Sequence, residues 1–298
     1  QIKSPQKIQG IPLPADSYVQ YRRSGNIFMI RTEGIPLNIN GFNFPAHTDI
    51  LLHDNKENIP IRMDLKEETE VNGLRCLPYN SHGKRESLYF HPNGEIAEAY
   101  LVPGQNVQPM DELNNYPYEF VYFHENGQLN SFVPSQPQDI MGIKCYGNTG
   151  KGGKYNRISF HDNGSFDSSL LEKGQKINGI KFKEETVIAF YPGQAGELGN
   201  IKFGTTAEEL PILWKRGKTI SIPAGSTIFF DENGRITKIT LAEQLKIGRK
   251  TYTAGQSILF KYKNNTPNKI VLDEPKPEKT GGTWRFEVNI QTDQKGYR

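Results

Sequence analysis

The chain has 298 residues, enough for one large domain or two ordinary ones, and only 35% of them are hydrophobic, a low fraction for a single deep core. Its 36 Lys and Arg stand against 33 Asp and Glu, with the signs interspersed, so no basic run tracks a phosphate backbone and nucleic acid is excluded as a partner. A mean hydropathy of −0.63 and the lack of any long apolar run exclude a transmembrane helix.

In chain order, two short signals alternate. The first is an aliphatic residue, any residue, Gly, an apolar residue, any residue, then a core-sized residue. It stands at Ile8–Leu13, Ile39–Phe44 and Val71–Cys76. Near Val107-Gln108-Pro109 it is missing and the unit reads as degenerate. It returns at Ile140–Cys145 and Ile177–Phe182, and Ile220-Ser221-Ile222 and Ile247-Gly248-Arg249 are eroded copies. The second signal is a tip of the form Phe-His-x-Asn-Gly. Leu88–Ile96, Val121–Leu129, Ile158–Phe166 and Ile228–Ile236 align on it. Weaker copies are Leu51–Asn55, Ile188–Gly193 and Leu259–Asn264, and Tyr18–Tyr21 before Ser24-Gly25 is the first. Asn-Gly tolerates the positive φ that tight hairpins demand, and the residues before it alternate at the period of a half-buried strand. The repeating unit of about 35 residues is therefore expected to be an opening strand, a strand into the tip and a strand out of it, in about eight copies.

The expected fold is all-β: tandem repeats forming an elongated antiparallel β-meander or solenoid, one continuous domain over residues 1–298. Residues 280–298 read as a C-terminal capping strand and tail, from the alternation in Thr283–Ile290. The alternative is a β-propeller, whose blades need four strands in about 40–45 residues.

The tips, with their aromatic-x-x-Asn-Gly-x-aliphatic pattern, resemble the bacterial MORN-like repeats, including those of the YwqK antitoxin-like family. The resemblance covers the tips, and it implies an interaction surface and brings no catalytic residue with it. The usual repeat is shorter than this one, which adds the opening Ile-x-Gly element and a longer loop.

Candidate chemistry is sparse. His53, His91, His124 and His161 occupy one position in four repeats, and in a regular stack they form a row that could bind a metal or an anion. The same position accepts Tyr191 and Asp231, which points instead to a residue that packs beside the turn. Cys76 and Cys145, the two cysteines of the chain, fall in the slot filled by Leu13, Phe44 and Phe182. With a whole repeat between them, they read as two buried free thiols rather than a disulfide, although an irregular stack would reverse this. Glu67-Glu68-Thr69-Glu70 and Glu184-Glu185 are acid clusters of the kind a glycosidase needs, and both read as solvated loops. Asp54, Asp162 and Asp231 flank the tips and fit turn chemistry better than any calcium loop. Gly147–Lys154 is Gly- and Lys-rich but lacks the strand and helix of a phosphate loop, and reads as an insertion. Asn163-Gly164-Ser165 and Asn264-Asn265-Thr266 match the short glycosylation pattern. Tyrosines on a strand face suit sugars or protein partners, and equally suit plain strands.

These readings favour a non-enzymatic scaffold or surface-binding module that needs no cofactor, with a protein or a cell-surface glycan as partner. A carbohydrate-active or metal-dependent enzyme built from inter-repeat loops is the first alternative, and a toxin–antitoxin or immunity component is the second. The start at Gln1 rather than methionine, explained by a removed signal peptide or a trimmed boundary, and the Asn-, Gly- and Tyr-rich composition lead to the expectation of an exported protein, periplasmic, cell-surface or secreted.

Overall fold

Each Ile-x-Gly signal folds into a hairpin of its own. In the first repeat Gln6–Ile8 pairs antiparallel with Ile11–Leu13, and the two residues between them, Gln9 and Gly10, have φ of 48° and 86°. Asn72-Gly73, Met141-Gly142 and Asn178-Gly179 make the same turn, with both residues in the left-handed region, as the mirror-image two-residue hairpin requires. The repeat thus has four strands, not three. Strands of three residues are too short for alternation to reveal, so the first half of this hairpin showed no strand period in the sequence. The Val107–Pro109 region is not degenerate either. Gln105–Val107 pairs with Met110–Leu113 around a cis Gln108–Pro109 peptide.

The computed structural model describes residues 1–39, 42–54, 59–78, 88–115, 119–147, 156–213, 218–263 and 266–272. Among these residues the chain is all-β, with no helix. Eight repeats follow one another, each an opening hairpin and then a tip hairpin. The opening hairpins run from Gln6–Ile8 with Ile11–Leu13 to Leu245–Ile247 with Lys250–Tyr252, and the tip hairpins from Tyr18–Tyr21 with Ile27–Arg31 to Ser257–Lys263 with Thr266–Leu272. The proposed capping strand at 280–298 lies outside the described residues.

The chain divides into two compact bodies, residues 1–207 with 230–235, and residues 208–229 with 236–298. In the first body the tip hairpins of repeats 1–6 form one antiparallel meander of twelve strands. Each outgoing strand pairs with the incoming strand of the next repeat, as Ile27–Arg31 does with Asp49–Leu52 and Ile96–Ala99 does with Val121–Phe123. Pairing from repeat to repeat makes this a meander; the blades of a propeller would be separate sheets. In the second body Leu210–Leu213 pairs with Thr219–Ile222, Leu245–Ile247 with Lys250–Tyr252, and Ile236–Thr240 with Ser257–Lys263, which continues into Thr266–Leu272.

The meander buries one face. Ile30, Ile50, Met63, Leu88, Ala99 and Val121 follow one another in register and are all fully buried. The last residue of each opening hairpin is buried as well: Leu13, Phe44, Cys76, Leu113, Cys145, Phe182, Ile222 and Tyr252. Burying one such Leu or Phe contributes roughly 1.5–3 kcal/mol, so each repeat adds a thin slice of core.

The tips differ from the expected two-residue turn. Gly94, Gly127, Gly164 and Gly234 have φ of 74–90°, while the Asn before each keeps negative φ. The amide of Gly94 donates to the His91 carbonyl and that of His91 to the Glu95 carbonyl. This is a type I turn closed by a glycine bulge. A second irregularity recurs at the mouth of the tip, between Gln20 and Tyr21, Leu51 and Leu52, Tyr89 and Phe90, Tyr122 and Phe123, Ser159 and Phe160, and Ala189 and Phe190. It leaves one extra residue on each outgoing strand: Phe28, Ile61, Ala97, Asn130, Asp167 and Lys202.

Candidate functional site

The histidine row is a set of hydrogen bonds from each tip to the next. His91 Nε2 lies 3.0 Å from the carbonyl oxygen of Phe123, His124 Nε2 3.0 Å from that of Phe160, and His161 Nε2 3.2 Å from that of Phe190. A ring nitrogen that faces a carbonyl oxygen must carry the proton, so Nε2 is the donor and has no lone pair left for a metal. The Tyr191 hydroxyl donates to the Phe230 carbonyl at 2.9 Å, and Arg22 Nη2 to the Leu52 carbonyl at 2.7 Å. Three residue types make one bond from one position, and what they share is reach and a donor. The tip asparagines repeat the pattern, Asn93 Nδ2 donating to the Glu125 carbonyl, Asn126 to Asp162, Asn163 to Gly193 and Asn200 to Glu232, at 2.6–2.9 Å. Successive tips stand two strands apart, about 10 Å, too far for two imidazoles to share one ion. His53 makes no such bond among the described residues; its Nε2 is buried without a partner.

A second ladder joins the opening hairpins, and the sequence reading missed it. Gln105 Nε2 donates to the carbonyl of Arg75 at 2.9 Å, and its Oε1 accepts from the Arg75 amide at 2.6 Å. Gln175 Oε1 accepts from the Lys144 amide, and Gln138 Nε2 donates to the Asn114 carbonyl. Each amide stands in for the strand pairing that these separate two-stranded sheets lack. Its signal was the recurring Gln-x-Ile or Gln-x-Val that begins Gln105–Val107, Gln138–Ile140 and Gln175–Ile177.

The remaining candidates fall to structural roles. Cys76 and Cys145 are free and buried, and burial pushes both thiols up to about 12. Glu68 is ion-paired with Arg75. Glu185 holds the left-handed position of a linker, at φ 54°. Asp54 accepts from Ser24 and Asn26 of the previous tip, and Asp231 accepts from the amides of Asn233 and Arg235 in its own turn. The Asp162 carbonyl accepts from Asn126. Among the described residues no three His, Cys, Asp or Glu side chains gather as a metal would need. An open hollow of about 520 Å³ lies between the first two repeats, bordered by Arg31, Glu33, His47, Lys66 and Glu67. Arg31 is tied to Asp49 there by two hydrogen bonds of 2.5 and 2.9 Å. Residues 148–155 of the Gly-rich insertion, Asn264-Asn265, Trp214 and Trp284 lie outside the described residues.

One region departs from the regular pattern. In five repeats the opening hairpin joins the tip strand through four residues: Pro14–Ser17, Pro45–Thr48, Lys183–Thr186, Pro223–Ser226 and Thr253–Gln256. The third of the four has φ of 54–80° in every case. In repeats 3, 4 and 5 the same link is eleven, seven and twelve residues long, at 77–87, 114–120 and 146–157. The three consecutive repeats with long links share a cluster on the outer face of the meander. Cross-strand register puts Arg62, Tyr89, Glu98, Tyr122, Ser131 and Ser159 in one row on that face. Phe120, at the end of the repeat 4 link, stacks on Tyr100 with centroids 4.0 Å apart and meets Tyr89 and Tyr122 edge-on at 6.0 and 6.2 Å. The Arg157 guanidinium, at the end of the repeat 5 link, lies 4.3 Å from the Tyr122 ring centroid. Glu98 sits half-buried between the two tyrosines, and desolvation holds its carboxyl above the usual range, partly offset by Arg157 and His91. Burial raises Tyr122 as well.

No protein-family model matches the chain, and no curated protein matches it. Among the described residues, no helix is long and apolar enough to cross a membrane.

Proposed function

We propose that the chain is a non-enzymatic repeat scaffold, the interaction module of an exported bacterial protein, and that it engages a protein or a cell-surface glycan through the outer face of repeats 3–5. The observation that carries this reading is the run of three long links, at one point of three adjacent repeats, beside the aromatic cluster. A repeat protein builds its contact surface by insertions at equivalent places on one face, because such insertions leave the shared core untouched. The links are also rich in Tyr, Gly and Lys, with Tyr79, Tyr116, Tyr118 and Tyr155 among them. Tyr supplies large contact area at low entropic cost, and Gly lets a loop adapt.

Deleting 80–86 and 148–155 leaves links of four residues, the length the other repeats use. Wild type and this variant are to be passed over glycan and protein arrays, with melting as the control for folding. The reading expects specific hits for wild type that vanish in a variant that still melts as wild type does. Hits that persist in the variant, or a wild type that binds nothing on either array, would overturn it.

A further inference from the structure

The outer-face cluster has the composition and arrangement of a cation receptor. Tyr89 and Tyr122 flank Glu98 from the neighbouring strands in direct register. The two tyrosines are thus about 10 Å apart across the Glu98 strand. Phe120 comes within 6.0 and 6.2 Å of both, which places its ring over that strand. Its planes with the two tyrosines are 70° and 68°, so the three rings gather about the strand that carries Glu98. The stack on Tyr100, itself buried, fixes Phe120 in place. Pre-fixed rings bind at lower entropic cost than rings that must be gathered.

Three further observations point to a cation. Arg157 already lies on the Tyr122 ring, so that ring is a cation-binding surface in this fold. Its guanidinium also donates to the Phe120 carbonyl at 3.5 Å and pairs with Glu119 at 4.0 Å. Glu98 accepts no hydrogen bond among the described residues, and the charges of Arg157 and His91 only partly offset the desolvation that disfavours its charge. A carboxylate in that setting is stabilised by a donor that brings positive charge. The residue beside Glu98, the extra residue of the bulge, is Ala97, whereas other repeats carry Phe28, Ile61, Asn130, Asp167 and Lys202 there. Repeat 3 has a methyl group where the others have bulk.

We propose that Tyr89, Glu98, Phe120 and Tyr122 form a binding site for a primary alkylammonium group, the ring faces taking the charge and Glu98 the N–H. The site rests on the reading of this face as an interaction surface and gives it a chemistry: the partner presents an amine. A protein lysine and a free amine share that chemistry, and the test separates them.

The probe is n-butylammonium, titrated at pH 7.5 and low salt against the full chain, with the aromatic resonances of Tyr89, Phe120 and Tyr122 observed by NMR. Saturable shifts in the millimolar range are expected. n-Butanol, equal in shape without the charge, is expected to give none. Tetramethylammonium, with no N–H to donate, is expected to bind at least several-fold more weakly. Glu98→Gln should weaken butylammonium about tenfold or more. Ala97→Phe should block it while melting as wild type does, since repeat 1 carries Phe28 at that position. Nα-acetyl-lysine methylamide binding more tightly than butylammonium assigns the site to a protein lysine, and equal binding assigns it to a free amine; both support the site. Absence of saturable shifts, or E98Q binding as wild type, overturns it. If an array partner binds E98Q as well as wild type, the ammonium site falls and the interaction module stands.

Discussion

His124 is the middle rung of the tip ladder, and replacing it separates a structural donor from a ligand. Its Nε2 faces the Phe160 carbonyl at 3.0 Å, and Nδ1 accepts from Asn130 Nδ2 at 3.2 Å. His124→Phe keeps a flat ring and removes both bonds. At about 0.5–1.5 kcal/mol net for each, the loss is about 1–3 kcal/mol. His124→Tyr restores a donor at the place where Tyr191 reaches the Phe230 carbonyl, so it recovers about half of that loss. In a body of this size the difference between the two variants, about 0.5–1.5 kcal/mol, is about 1–6 °C in Tm, read by calorimetry or circular dichroism. Zinc at a modest excess is expected to leave the Tm of wild type and of both variants unchanged. Equal Tm values for H124F and H124Y, or a zinc-dependent rise in wild type that both variants lose, would refute the reasoning.

Gln105→Ala removes three bonds, to the amide and carbonyl of Arg75 and to the carbonyl of Val102, and is expected to cost about 1–3 kcal/mol in chemical denaturation, although Gln105 is only part-buried. Gly204→Ala sets a Cβ 2.6 Å from two ring carbons of Phe182, an overpacking of about 1–3 kcal/mol, and Phe182→Leu in the same chain should relieve part of it. Cys76 and Cys145, with thiols pushed up to about 12 by burial, should resist a thiol reagent at pH 8 and react together on unfolding. Glu98 is raised when folded, so its charged form costs stability as pH rises through the folded value. E98Q should therefore be more stable than wild type at pH 7, and the gap should close as pH falls below the ordinary glutamate value of 4.5. A gap that widens toward acid would contradict this.

The sequence showed the parts of the fold that rest on special residues. Asn-Gly at the tips and Ile-x-Gly at the openings mark positive φ, and their spacing set the repeat and its eight copies. The cysteines were placed in the core by register alone, and both are buried. What stayed hidden were features with no distinctive residue. The first strand of each opening hairpin is three or four residues long, too short for a period. The repeat 4 hairpin turns on Gln108–Pro109 in place of a glycine, and so read as lost. Gln105, Gln138 and Gln175 look like surface residues until the structure brings their amides to the neighbouring backbone. The Tyr89, Glu98, Phe120 and Tyr122 cluster was invisible because its members come from three strands and a link, and only cross-strand register makes them neighbours.

The central claim is that the tip residues are spent on holding repeat to repeat, which leaves the outer face of repeats 3–5 for binding. Long-range ¹H–¹⁵N spectra of His91, His124 and His161 test it most directly, because they report which ring nitrogen holds the proton. The ladder predicts that all three rings carry the proton on Nε2, shifted by a hydrogen bond to a carbonyl. Rings protonated on Nδ1, or Nε2 signals that move when zinc is added, would contradict it.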